Sequence, residues 1–277
     1  FYKLLKLFWH ENFIWKNLDE YVAFKKLCTD KKVSVKCVLT PERIKKYTVP
    51  CACGFIFCAA AKSIDESIVA HFQELADEAS VIQKYLALLS GEMVNTGEKR
   101  MVLHHLTRGQ LAADVYEGSV NKRHFYESEC EKIKNFATAV HDGKITNEAG
   151  EKFTDVVQIG IGGSDLGPRA CYLALKAWAV KNKCSKLDAH FISNVDPDDA
   201  FSVLNELGER IKTTLFILVS KSGTTQETLA NEALVKQYLA KANVNAASHF
   251  VAVTSEKSPL AKNDDYRQVF FMRSEER

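Results

Sequence analysis

Apolar positions recur along this chain in two rhythms, and the change between them falls near residues 145–153. Between Ile64 and Ser90, the residues Ile64, Ile68, Phe72, Leu75, Ala79 and Ile82 repeat at helical spacing and predict one helical stretch. Tyr126 to Val140 predicts a second, closed by the turn signal His141-Asp142-Gly143-Lys144. Residues 1–150 therefore read as a mainly helical N-terminal region. Beyond it, short β-branched runs occur at Asp155–Ile161, Ala189–Ser193, Thr214–Ser220, His249–Val253 and Gln268–Met272. Helix-like segments lie between them at Pro168–Lys181, Pro197–Leu207, Thr225–Lys241 and Ser258–Asn263, with Pro168 and Pro197 placed as first-turn prolines. Strand and helix in alternation mean βαβ units with right-handed crossovers. The predicted class is α/β, with residues 151–277 forming a doubly wound, five-stranded parallel sheet.

Two loops follow strand-like runs in this second part. They are Gly160-Ile161-Gly162-Gly163-Ser164-Asp165-Leu166-Gly167 after the first strand and Ser220-Lys221-Ser222-Gly223-Thr224-Thr225 after the third. In a sheet of flavodoxin-like order 2-1-3-4-5, ligands bind beyond the carboxyl ends of strands one and three, where the order reverses. That order would set the two loops face to face across one crevice.

The first loop meets neither nucleotide motif. Gly160 and Gly162 match a dinucleotide fingerprint, but Asp165 stands where its third Gly belongs, and Gly167 is followed by Pro168-Arg169 rather than by Lys-Ser/Thr. Its glycines still admit close backbone approach, Ser164 offers a hydroxyl, and Asp165 can cap the next helix or orient a sugar hydroxyl. The second loop packs Ser220, Ser222, Thr224, Thr225 and Lys221 into six residues ahead of a helix whose N-terminal N–H groups and dipole favour an anion. A plain N-cap needs one hydroxyl, not four. The pair of loops predicts a site for a small phosphorylated molecule.

Composition narrows the alternatives. Among 277 residues, 37 Lys and Arg face 35 Asp and Glu, and a net charge of +2 does not argue for nucleic acid or an anionic membrane. No apolar run approaches the roughly 20 residues that span a bilayer. The opening Phe1–Trp9 is basic and apolar; Lys3 and Lys6 interrupt it and no small-residue cleavage site follows, so it reads as an amphipathic first helix rather than a signal peptide, with an interfacial helix left open. Eight scattered Cys read as free thiols of a cytoplasmic protein. Cys51, Cys53 and Cys58 cluster, but without the spacing or the His partners a metal site needs. Glu98, Arg100, His104 and Arg108 sit at near-helical spacing and read as a solvated or packing face; an acid–base role is the sharper alternative.

The motifs also carry a resemblance. Ile159 to Pro168 resembles the signature of the glucose-6-phosphate isomerase family, and Ser220 to Thr228 resembles that family's sugar-phosphate loop. Asn95 to His104 is similar to its Asn-x-x-Glu-x-Arg-x-x-Leu-His segment. The resemblance implies the sugar-isomerase fold, with Ser220, Lys221, Ser222 and Thr225 on the substrate phosphate and Gly163 and Ser164 lining the same site. Ser222 keeps the hydroxyl of the family's more frequent Thr, whereas Gly223 departs from the bulkier residue usual there. It further implies interconversion of glucose 6-phosphate and fructose 6-phosphate, without metal or other cofactor, by a homodimer. The family's carboxylate base, His, Lys and the Arg of its Gly-Gly-Arg-aromatic-Ser motif belong to later segments, as do a second sugar-isomerase domain and C-terminal helices. Arg273 does not sit in that motif, so no catalytic residue is assigned and the chain reads as an N-terminal portion. A non-catalytic sugar-phosphate-binding module and a dinucleotide-dependent oxidoreductase, the latter weakened by Asp165, are the rival readings.

Overall fold

The structure, a computed structural model, describes residues 17–97, 99–107, 113–262 and 264–272. The opening Phe1–Trp9, Glu98, Arg108 and Arg273 lie outside the described residues. Two compact units divide between Leu88 and Leu89.

In the first unit, α1 (Val22–Thr29) packs against α2 (Glu66–Glu78). The Glu78 carboxylate accepts from the N–H groups of Val22 and Ala23 at 3.0 Å each, donors that α1 cannot satisfy itself. The helical stretch expected over Ile64–Ser90 is two helices. Asp65 caps α2 by accepting from Ile68 N–H at 2.9 Å, which leaves Ile64 outside, and Ser80 at φ 53° breaks the path before α3 (Val81–Leu89). A left-handed residue cannot continue a right-handed helix. Thr48–Pro50 and Ile56–Cys58 form a small antiparallel hairpin.

The second unit holds the sheet: β1 (Asp155–Ile159), β2 (Asp188–Ile192), β3 (Thr214–Val219), β4 (Phe250–Thr254) and β5 (Gln268–Phe271). All pairings are parallel and the spatial order is β2-β1-β3-β4-β5. This is the expected 2-1-3-4-5 arrangement, with β1 beside β3. One face buries Val157, Ile159, Phe216, Leu218, Phe250 and Ala252 under α6 (Pro197–Leu207) and α7 (Gln226–Lys241), which contribute Ala200, Leu204, Val235 and Leu239. On the other face α4 (Lys122–His141) lays Phe136 and Val140 against Leu215, Val251 and Phe270. That packing is why α4, helical in pattern like the residues before it, belongs to the compact unit of the sheet.

The outer edge of β5 is covered chemically. Glu129 of α4 accepts from Phe271 N–H at 2.8 Å, and Lys132 Nζ donates to the Val269 carbonyl at 2.9 Å. These outward groups would otherwise stand unpaired on an edge strand.

Helix α5 (Gly163–Lys181) begins five residues earlier than expected, so Pro168 lies inside it rather than in its first turn. The last expected helix, Ser258–Asn263, is a 3₁₀ turn over Pro259–Lys262. Asn95 and Arg100 face each other in a backbone bridge and His104–Thr107 is another 3₁₀ turn, so the polar group around Arg100 and His104 does not share one helix face.

His249, where β4 begins, is buried, hydrogen-bonds the Thr214 carbonyl through Nδ1 at 2.7 Å and meets Phe153 edge-on. Burial pushes its pKa below the ordinary 6.5 despite the carbonyl's opposing pull. The unfolded chain then binds the extra proton first. Stability is held above about pH 6.5 and lost as pH falls from there towards the lower folded value. We expect the denaturant midpoint to drop between pH 7.5 and 5.5, with His249→Gln losing part of that dependence; an equal drop in the variant would refute the assignment.

Candidate phosphate site at the carboxyl ends of two neighbouring strands

Each site loop is held by contacts that leave particular groups free to serve a ligand. After β1 the chain turns at Gly160 against the end of β3: a Cβ on Gly160 would lie 3.1 Å from Ser164 Cβ, 3.1 Å from the Ser164 carbonyl oxygen and 3.3 Å from the Val219 oxygen. A larger residue here would crowd both the start of α5 and the end of β3. Around Gly162 and Gly163 the reverse holds, since a Cβ at either meets nothing within 4 Å. Gly163 is exposed and Ser164 half-buried at the start of α5, beside open space.

Asp165 does not cap α5. It is buried in the first turn, where its charge suits the helix dipole. It takes Arg169 Nε at 3.1 Å and Nη2 at 3.0 Å, and Arg169 reaches on to Ser193 Oγ at 2.7 Å. The Asp165–Arg169 spacing of four was a readable signal for this pair. Its consequence is structural: through Arg169, Asp165 fastens α5 to Ser193 at the end of β2.

In the second loop, buried Ser220 accepts from Gly223 N–H at 3.1 Å and shares a hydrogen bond with Thr225 Oγ1 at 3.1 Å. Ser222 Oγ accepts from Thr224 N–H at 3.2 Å and Thr224 Oγ1 at 3.0 Å, which leaves its own proton to donate outward. Thr225 is the N-cap of α7, yet its hydroxyl makes no capping bond, being turned to Ser220. The first-turn N–H groups of α7 therefore face the loop without a side-chain cap, the arrangement that receives an anion. Lys221 is tied through its main chain, its carbonyl accepting from Ser255 N–H at 3.2 Å.

Gly223 explains its own departure from the bulkier family residue. Its φ is +67°, and a Cβ there would fall 2.0 Å from Ser258 Oγ and 3.1 Å from Leu260 Cγ. The segment Ser258–Leu260 occupies the room a larger side chain would need.

The six expected binding residues thus fall on two loops carried by hydrogen-bonded neighbours, Ser220, Lys221, Ser222 and Thr225 within one and Gly163 and Ser164 on the other. Two features had no local signal in the sequence. Gln158, on β1, donates from Nε2 to the Ser164 carbonyl at 2.8 Å, and Ser258 closes over Gly223. Among the described residues no group of three or more His, Cys, Asp or Glu is arranged to hold a metal ion. Seven cysteines, Cys28, Cys51, Cys53, Cys58, Cys130, Cys171 and Cys184, are free and exposed.

Comparison with known proteins gives three findings. The family model for phosphoglucose isomerase matches residues 60–271. A glucose-6-phosphate isomerase of Treponema denticola is 52% identical over 267 residues, covering 93% of this chain and 50% of the relative, and one of Treponema pallidum (strain Nichols) is 48% identical over 266 residues, covering 93% and 49%. The crystal structure of a glucose-6-phosphate isomerase from Chlamydia trachomatis superposes with a TM-score of 0.79 at 30% identity, covering 94% of this chain and 49% of that one. The chain spans about half the length of the curated relatives it matches.

Proposed function

The chain belongs to the phosphoglucose isomerase family, and from that premise we propose that it is the phosphate-holding N-terminal half of an enzyme interconverting glucose 6-phosphate and fructose 6-phosphate. The observation that carries the reading is the meeting of the two loops. Strand order puts β1 beside β3, and at Gly160 a Cβ would lie within 3.3 Å of the Val219 oxygen at the end of β3, so the two loops start from closely spaced strand ends. In this reading Ser220, Lys221, Ser222, Thr225 and the α7 N-terminus hold the phosphate, and Gly163 and Ser164 line the sugar. Phosphate binding supplies orientation. Proton transfer between C1 and C2 through an enediol needs acid–base groups, which we assign to the half of the relatives lying outside this stretch, together with a second sugar-isomerase domain, the C-terminal helices and the dimer. We take 151–277 as the sugar-isomerase domain proper, after the mainly helical 1–150. Among the described residues no helix is long and apolar enough to cross a membrane. The cytoplasmic placement rests on reading the cysteines as free thiols.

Ser222→Glu tests the phosphate assignment. A like charge about 4 Å from the anion costs up to ~4 kcal/mol at an effective dielectric near 20, and even half of that is more than tenfold in affinity. Calorimetry with fructose 6-phosphate should show at least that loss. Equal binding by wild type and variant would remove Ser222 from the site.

A further inference from the structure

We infer that Gln158 is a positioning residue that sets Gly163 and Ser164 in place through the Ser164 carbonyl; this rests on the reading of the first loop as a wall of the sugar-phosphate site. In an α-helix the N–H of residue 168 would donate to the carbonyl of residue 164. Pro168 has no N–H, and its ring crowds that carbonyl. The first turn of α5 is therefore missing the bond that would pin Ser164. Gln158 supplies it from outside the helix, its Nε2 donating to the Ser164 oxygen at 2.8 Å. It does so from an interior strand, paired with Phe191 of β2 on one side and Ile217 of β3 on the other. On the opposite flank a Cβ on Gly160 would stand 3.1 Å from both Ser164 Cβ and its carbonyl oxygen, so Ser164 is confined between a close backbone and a donated hydrogen bond. The bond uses the carbonyl and leaves the Ser164 hydroxyl for the ligand. Gln158 acts through Ser164 and not on the substrate.

The decisive variants are Gln158→Leu and, should branching disturb the sheet, Gln158→Met, which keeps length and flexibility without the donor. In the unliganded chain, amide hydrogen exchange over residues 162–167 should accelerate while the thermal midpoint stays within a few degrees. Affinity for fructose 6-phosphate should fall roughly fivefold to tenfold, the worth of about one net hydrogen bond. Affinity for inorganic phosphate, held by the second loop, should change less than about twofold by the same reckoning. The rescue is specific: Pro168→Ala restores the N–H that reaches the Ser164 carbonyl, so Gln158→Leu/Pro168→Ala should recover both slow exchange and sugar-phosphate affinity. Exchange and affinity unchanged in Gln158→Leu, or a double variant no better than the single one, would overturn the inference. A wild-type chain that binds neither ligand would overturn the site reading instead, and exchange in the free chain would still decide the Gln158 contact.

Discussion

Purified alone, the 277-residue chain is expected to leave glucose 6-phosphate unconverted in a coupled assay while still binding fructose 6-phosphate. The groups proposed for this half hold and orient, and the proton transfer is assigned in that proposal to the other half of the enzyme. General acid–base groups are typically worth about 10²–10⁴-fold each, so a chain lacking both acid and base should fall short by roughly 10⁴–10⁸-fold if their effects multiply. Trace contamination by a host isomerase would swamp such a residue, so the assay needs activity followed across successive purification steps. Turnover that stays proportional to this chain, and vanishes on Glu98→Gln, would place the base in the 95–104 segment and refute the division of labour proposed here.

The second large effect concerns association. Helix α5 turns Asp165, Arg169, Tyr172 and Lys176 towards neighbouring groups: Arg169 to Asp165 and Ser193, the Tyr172 hydroxyl to Ala189 N–H at 3.0 Å, and Lys176 to Asp188. Around the rest of its circumference it exposes Leu166, Leu173 and Val180 on one flank and Leu175 and Trp178 on the other, by 66, 61, 59, 59 and 60%. A surface helix ordinarily shows the opposite distribution, and large apolar side chains exposed in this number mark a buried interface or an aggregation hazard. The isolated chain should therefore self-associate at micromolar concentration and bind a hydrophobic dye. Leu173→Glu/Trp178→Glu should shift sedimentation towards the monomer and lower dye binding. A wild-type chain that sediments as a dye-free monomer would show that this surface needs no cover.

The sheet was legible because its strands are short, largely apolar runs with a helix-like segment between each and the next. Strand limits moved by a residue or two, and the order 2-1-3-4-5 held. The second candidate loop stood out because four hydroxyls crowd into Ser220–Thr225. The start of α5 was not. Proline at a first helical turn is a sound general rule, and nothing near Pro168 announces that Gln158, ten residues earlier, takes over the lost hydrogen bond. The break at Ser80 was hidden for a similar reason, since apolar spacing runs across a single left-handed residue. Asp165 shows the cost of reading a loop alone: its partner lies one helical turn on, and the pair's anchor, Ser193, belongs to another strand's loop.

The cover over the outer edge of β5 decides what kind of assembly a surplus of this chain forms. With Phe271 N–H spent on Glu129 and the Val269 carbonyl spent on Lys132, a stray strand arriving at that side finds a donor and an acceptor of the edge already taken. Growth by strand addition is hindered at this end of the sheet, and association through helix surfaces stays open. Oligomers of the intact chain should thus keep the parent's circular dichroism and leave thioflavin dark, whereas Glu129→Ala/Lys132→Ala should give that dye ordered fibrils to report.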